Sequence, residues 1–302
     1  MNGERRRVAT SARPKLLAVD LDGTLLDAKT GAPHASDLAA LRALAQSGVV
    51  VSIVTGRLYS GTRAASEAIG LRGPVACVDG SHIVAAHDHS TLVHHAVHGA
   101  TAVAVRDAIA ASGAVSFVFA RDAITHDARG AEYVAYVSTW SSDIRLVSSI
   151  AEHPVWRDED GLTAVVAVGT REEIGAAVVA IEKACGDAVQ VAAFALRRSP
   201  GRWGMITRAA SGTKGSALAW LATHHGFELA ETVCVGDWYN DAPMLSVAGR
   251  SFAMAQAPDE VKRVATDVLV ESGETGGGVA RVVRDVFGVV AETPVAEDAT
   301  AR

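Results

Sequence analysis

The stretch LLAVDLDGTLLD, residues 16–27, begins as an apolar run and ends in two carboxylates, Asp20 and Asp22, with only Leu21 between them. The run reads as a buried strand. Alternate side chains of a strand share a face, so the two acids are expected to point the same way. Like charges at that spacing repel unless a cation or a shared proton sits between them. From Leu16 onward, short β-branched runs alternate with helical patterns, which is how a parallel sheet with helices on its faces is written in sequence.

After LLAVD, the segment SDLAALRALAQSG repeats leucine at Leu38, Leu41 and Leu44, with Ser36 as the expected N-cap and Gly48 as the stop. VVVSIVTGR follows as a second buried strand ending at Thr55, then a helix over about residues 60–69, then a third strand in PVACVDG. After Ser81 the pattern changes. Residues 82 to about 198 carry alternating, less uniformly apolar segments around helices near 101–112 and 171–185, as expected of an inserted α/β unit with a mixed sheet. The first pattern then resumes with GTKGSALAWLATHHG, the strand ETVCVGD, a helix with Pro243 in its first turn, and the pair SFAMA and TDVLVE. Gly276 to Gly278 read as a loop before a final helix. The fold class expected is α/β: a Rossmann-like core at 14–82 and 199–289, a large inserted α/β unit at 83–198, and disordered tails at 1–13 and 290–302.

Composition narrows the partners. The 302 residues are 49% apolar and carry 28 basic against 34 acidic side chains, a formal charge of −6. That balance supplies no basic footprint for nucleic acid and no polybasic membrane anchor. No run of about 18 or more apolar residues occurs, and the charged N-terminus lacks the apolar segment of a secretory signal. Cys77, Cys185 and Cys234 have no metal-ligand spacing and read as reduced thiols. The expectation is a cytoplasmic protein, monomeric or a small homo-oligomer, whose partner is a small molecule.

In open parallel sheets, ligands bind at the carboxyl ends of the strands where the chain order reverses. Asp20 and Asp22 follow the first strand, Thr55 and Gly56 the second, and Asp237, Asn240 and Asp241 follow TVCVG; Lys214 starts a helix whose N-terminus is expected at the same edge. Carboxylates, a hydroxyl, an amide and an ammonium suit a phosphate ester with Mg2+. This hard ion takes oxygen ligands, and catalysis of phosphoryl transfer rests chiefly on positioning and charge neutralisation. One carboxylate of the pair is expected to attack phosphorus, and the other to protonate the leaving group and then activate water.

DLDGTLLD, TGR, TKGSAL and GDWYNDAPML, in that order, resemble the four signature motifs of the haloacid dehalogenase superfamily of phosphohydrolases. The stretch AMAQAPDEVKRVATDVLVESGETGGGVARVV is similar to the closing segment of its Cof-type subfamily (subclass IIB), and the long insertion fits that subfamily's cap. The resemblance covers roughly residues 15–82 and 199–287. It implies that Asp20 is nucleophile and Mg2+ ligand, and that Asp22 is the acid/base and lends a backbone carbonyl to the metal. It implies phosphate binding by Thr55, Lys214, Asn240 and the Gly56 amide, metal ligation or support by Asp237 and Asp241, and substrate orientation by Arg57. The activity implied is hydrolysis of a sugar phosphate or cofactor phosphate through an aspartyl phosphate. The alternatives are a phosphomutase and a catalytically inactive metabolite-binding protein of the same fold.

Two departures stand out. Relatives commonly carry NG after the third strand, where this chain has Asp79-Gly80, and AMGNA where it has AMAQA, with Ala255 and Gln256. Asp79 adds negative charge near an anionic substrate unless it faces away. Histidines 82, 87, 89, 94, 95 and 98 cluster early in the insertion without the cysteines or carboxylates that complete a tetrahedral metal set; contact with substrate by one of them is the better functional reading. Trp238, inside the fourth motif, is read either as a wall of the site or as a packing residue.

Overall fold

A computed structural model of the chain describes residues 13–27, 29–196 and 199–291. The tails expected at 1–13 and 290–302 lie, apart from residues 13, 290 and 291, outside the described residues. The chain divides into two compact units: Met1–Ile53, Ala68–Leu71 and Leu218–Arg302 form one, and Val54–Glu67 and Arg72–Ala217 the other.

The first unit is built on a five-stranded sheet, ordered Asp267–Val268, Arg250–Ala253, Thr232–Gly236, Leu16–Val19, Val50–Ile53, and every pairing in it is parallel. Strands buried on both faces leave little room for polar side chains, which is why LLAV and VCVG are uninterrupted apolar runs. The chain leaves Leu16–Val19 toward one edge and returns through Thr232–Gly236 to build the other, so the order reverses between these two strands. The expected parallel core is present, and its switch point lies between the ends that carry Asp20 and Asp237.

Helix Ala35–Gln46 buries Asp37, Ala40, Leu41 and Leu44. It starts one residue before the expected cap: His34 precedes it and Ser36 lies in its first turn. Gly48, at φ 88°, does follow its end. The buried Asp37 carboxylate accepts from the backbone N–H groups of Gly277 (2.9 Å) and Ala280 (2.7 Å). The glycine-rich segment is therefore more than a loop: it opens helix Gly278–Val282, whose exposed donors Asp37 satisfies. Burial pushes the Asp37 pKa up, against the lowering effect of those donors.

The second unit contains a mixed six-stranded sheet, ordered Val189–Ala195, Trp203–Ala209, Ala164–Gly169, Val115–Ala120, Ala123–His126, Ile144–Leu146. Only its last pairing is parallel. Helices Gly99–Ser112 and Arg171–Cys185 cover it, packing Val105, Ile109, Ile174 and Ile181 on Val118, Val165 and Met205. Thr170 and Glu173 form a reciprocal cap at the second helix. A separate antiparallel sheet joins Pro74–Cys77, His82–Ala85 and Thr91–His94. Its first strand also forms an isolated parallel bridge from Ala76 to Val54. Among the described residues, no helix is long and apolar enough to cross a membrane.

Candidate active site

In the first unit, Asp20, Asp237 and Asp241 are buried and each offers a carboxylate oxygen within 4.8 Å of the others. Strand register produces this: Val19 pairs with Val235, and the Asp20 N–H donates to the Val235 carbonyl at 3.0 Å, so the residues just past the two strands are neighbours. Asp22 behaves differently. The strand ends at Val19 and residues 21–26 turn back, with the N–H groups of Thr24, Leu25 and Leu26 all directed at the Leu21 carbonyl. The two-residue repeat therefore stops before Asp22, which is exposed while Asp20 and Leu21 are buried. The expectation of two acids sharing a strand face is corrected to one acid at the strand end and one in the turn.

Glycine 23 makes that turn possible. Its φ is 85°, and a Cβ there would lie 2.6 Å from Asp237 Oδ2, so any side chain would be strained and would displace a candidate metal ligand. Gly236 has the same steric role on the other strand, where a Cβ would sit 2.5 Å from the Asp241 carboxyl carbon. Asp241 shapes the loop: its Oδ2 accepts from the backbone N–H groups of Asp237 (2.8 Å) and Trp238 (2.9 Å). Thr24 donates to Asp237 Oδ1 at 3.3 Å.

Gln256, noted in the sequence only as a departure, ties the cluster together. Its side-chain amide donates to the Gly23 carbonyl (2.7 Å) and to Asp237 Oδ2 (3.1 Å), and its carbonyl accepts from the Gly273 N–H (3.0 Å). Asn240 lies in the short turn Tyr239–Asp241. Trp238 is 39% exposed and meets Tyr239 edge-on with ring centroids 5.1 Å apart, so it is not packed away. Three carboxylates converging without a thiolate or imidazole form an all-oxygen donor set that suits a hard divalent cation such as Mg2+.

In the second unit, Thr55 and Lys214 are both buried, Lys214 at 1% exposure. Buried lysine is rare. This one also begins helix Lys214–His224, so the residue stands at the positive end of the helix dipole, and both features favour an anion as partner. Reciprocal bonds between Thr213 and Ser216, each 3.0 Å, close the helix start. Thr55 Oγ1 accepts from the Arg57 N–H at 3.2 Å, and the Arg57 guanidinium donates to the Gly61 carbonyl at 3.3 Å. Asp79 pairs with the Arg208 guanidinium, both nearly buried.

The histidine cluster divides. His82, His89, His94 and His98 line a cavity of about 710 Å3 together with Tyr59 and Arg121. Tyr59 Oη and His89 Nδ1 are 2.8 Å apart, and the His82 and His94 rings lie 5.3 Å apart. Burial holds His82 down to about pKa 4 and lowers His94 in the same direction. Among the described residues the only close group of three metal-ligating side chains is the aspartate set, so the histidines supply no second cluster of that kind.

Residues 17–283 match the family model for haloacid dehalogenase-like hydrolases. The chain belongs to that family. It is 26% identical over 274 residues, 84% of this chain and 93% of the relative, to the pyridoxal phosphate phosphatase YbhA of Escherichia coli. A shorter match reaches 39% identity over 77 residues, 26% of this chain and 29% of the length of a putative phosphatase of Haemophilus influenzae. The fold is that of the solved subclass IIB sugar phosphatase BT4131, with a TM-score of 0.72 at 22% identity, covering 91% of this chain and 100% of the other. The four motifs thus sit in a haloacid dehalogenase-like hydrolase, as the sequence resemblance implied.

Proposed function

We propose that this haloacid dehalogenase-like hydrolase is a Mg2+-dependent phosphatase that hydrolyses a small phosphorylated metabolite through an aspartyl phosphate on Asp20. The observation that carries the reading is the buried trio Asp20, Asp237 and Asp241 at the switch point of the parallel sheet. Three carboxylates confined there repel one another unless a cation is present. Asp20 and Asp237 would hold Mg2+, with the Asp22 backbone carbonyl and support from Asp241. When bound, the ion supplies positive charge that offsets the charge on the phosphoryl oxygens.

In the first step a carboxylate oxygen of Asp20 attacks phosphorus, the bond from phosphorus to the ester oxygen breaks, and Asp22 gives its proton to the departing alcohol. In the second, Asp22 takes a proton from water as the water oxygen attacks the aspartyl phosphate; the bond from phosphorus to the Asp20 oxygen breaks and inorganic phosphate leaves. The exposure of Asp22 suits a group that must exchange a proton with alcohol and water. Thr55, the Gly56 amide, Asn240 and Lys214 bind the phosphoryl oxygens, and Arg57 orients the substrate. The boundary expected at 198 would cut the mixed sheet, in which strand Trp203–Ala209 is paired on both sides, so we assign the core to 14–82 and 210–289 and the substrate-selecting cap to 83–209. Sugar phosphates and cofactor phosphates are the substrate classes, in line with the named activities of the relatives.

The test is phosphate release from a panel of sugar, nucleotide and cofactor phosphates, with Mg2+ and with chelator, for the wild type beside Asp20→Asn. Metal-dependent release confined to the wild type supports the proposal. Equal release by the variant removes Asp20 as nucleophile, and release insensitive to chelator removes Mg2+.

A further inference from the structure

The turn at the end of strand Pro74–Cys77 holds three successive residues in the left-handed region: Val78 at φ 47°, Asp79 at 53° and Gly80 at 95°. For a fully buried, β-branched valine this is a strained conformation. Such a turn persists only where its surroundings over-determine it, and here they do so from two sides. On one side, the Val78 N–H donates to the Arg57 carbonyl (2.9 Å) and the Asp79 N–H to the Thr55 carbonyl (2.8 Å). On the other, a Cβ on Gly80 would lie 2.6 Å from the Thr213 carbonyl oxygen and 2.8 Å from the Ala217 Cβ, and one on Gly212 would lie 2.9 Å from the Ser81 Cα. One turn thus touches both the segment that carries Thr55 and the segment that carries Lys214.

The Asp79 carboxylate pairs with Arg208, from the strand Trp203–Ala209 that leads toward Lys214. The two residues are 6% and 8% exposed. A buried ion pair is weak evidence of a stability role, because apolar replacements often do as well. Arg208 Nε is also buried without a hydrogen-bond partner, a cost that a pair selected for stability alone has no reason to carry. We infer that Asp79 and Arg208 are positioning residues: their ion pair fixes the strained turn as a common brace for Thr55 and Lys214, and so sets how tightly a phosphoryl group is held. This rests on the proposed phosphate-binding roles of those two residues. It also answers the concern about an acid near an anionic substrate, since the charge of Asp79 is matched by that of Arg208.

The experiment measures competitive inhibition by inorganic phosphate, the Mg2+ activation midpoint and the melting temperature, on the full chain, for wild type, Asp79→Asn, Arg208→Gln and Arg208→Lys. Both neutralising variants are expected to raise the phosphate Ki by about tenfold or more while the Mg2+ midpoint stays within about twofold, because the acid cluster is untouched. Arg208→Lys keeps the charge but loses the planar fork, and a rise of about threefold or more is expected. If the neutralising variants do not fold, the lysine variant decides alone. Folded variants with the wild-type phosphate Ki overturn the inference, as does a Mg2+ midpoint that shifts in step with Ki, which marks general loosening. A wild type not inhibited by phosphate overturns the roles of Thr55 and Lys214 and takes this inference with them; inhibition of the wild type with unaffected variants overturns the brace alone.

Discussion

The two units meet left-handed backbone in opposite ways. Among the described residues of the first, every residue with positive φ is a glycine, Gly23 included; the second imposes such angles on Val78, Asp79, His89, Arg121 and Asp122. A side chain in that region costs roughly 1–2 kcal/mol where nothing local compensates. The first unit avoids the cost by composition. The second bears it and holds the conformation by tertiary contacts, such as the Ser60 N–H and hydroxyl bonding to Asp122 (3.0 and 2.9 Å). The lesson is that the acid cluster sits on relaxed backbone whose rules are written locally, whereas the turns of the second unit are held from a distance.

The largest expected effect tests the first half of that contrast. Asp20→Asn should lower the rate of phosphate release by at least ~10^3-fold without lowering the melting temperature, since it removes a buried charge from a repelling trio. A rate within tenfold of wild type, or a large loss of stability, would mean that the acid serves folding.

Next comes the pH dependence of the second unit. The His82 pKa lies near 4 in the folded chain, below its ordinary value of 6.5, because burial disfavours the charged ring. The unfolded chain therefore binds the extra proton first. Stability is complete above about pH 6.5 and falls as pH drops toward 4, by up to about 3 kcal/mol. Urea unfolding at pH 7.5 and 4.5 should show that loss, and His82→Gln should flatten it. An equal slope in the variant would move the titration to His94 or elsewhere.

Gln256→Leu should raise the Mg2+ concentration for half-maximal activity by about 10-fold, as removal of groups that orient metal ligands does, with kcat at saturating metal nearly unchanged. An unaltered midpoint would show that the Gly23 turn holds Asp237 without help. The smallest effect isolates backbone cost from packing. Gly70, at φ 83°, has nothing within 4 Å of where a Cβ would sit, so Gly70→Ala should cost ~1 kcal/mol by conformation alone. A neutral result would remove the reason given for glycine at these positions in the first unit.

Much of this was legible in advance, for a physical reason. A parallel strand buried on both faces is largely apolar and excludes charge, so its carboxylates can stand only at its end; LLAVD and TVCVGD therefore announced both the sheet and the places of Asp20 and Asp237. Helix Arg171–Cys185 was legible at its start because Thr170 and Glu173 cap it locally, and at its end because Gly186 follows it. What escaped depends on partners far along the chain. Asp79 and Arg208 are 129 residues apart, and Gln256 reaches back 233 residues to Gly23. Ser36 looked like a cap because it has the right chemistry, but the chain enters the helix two residues earlier, from His34. Asp22 looked like a strand residue because periodicity cannot tell where a strand stops and a turn begins.

The Asp37 carboxylate, holding the start of helix Gly278–Val282, bears on the order in which a ribosome delivers this chain. The strand Leu16–Val19 emerges early, yet its neighbour Thr232–Gly236 follows the end of Val50–Ile53 by roughly 180 residues, on the order of 10 s of synthesis. The mixed sheet and its two helices are complete by residue 209, well before that neighbour exists. Asp37 waits longer still, for donors at residues 277 and 280. Until then an acid destined for the interior faces water, and the half-built sheet presents an open edge of the kind that recruits chaperones.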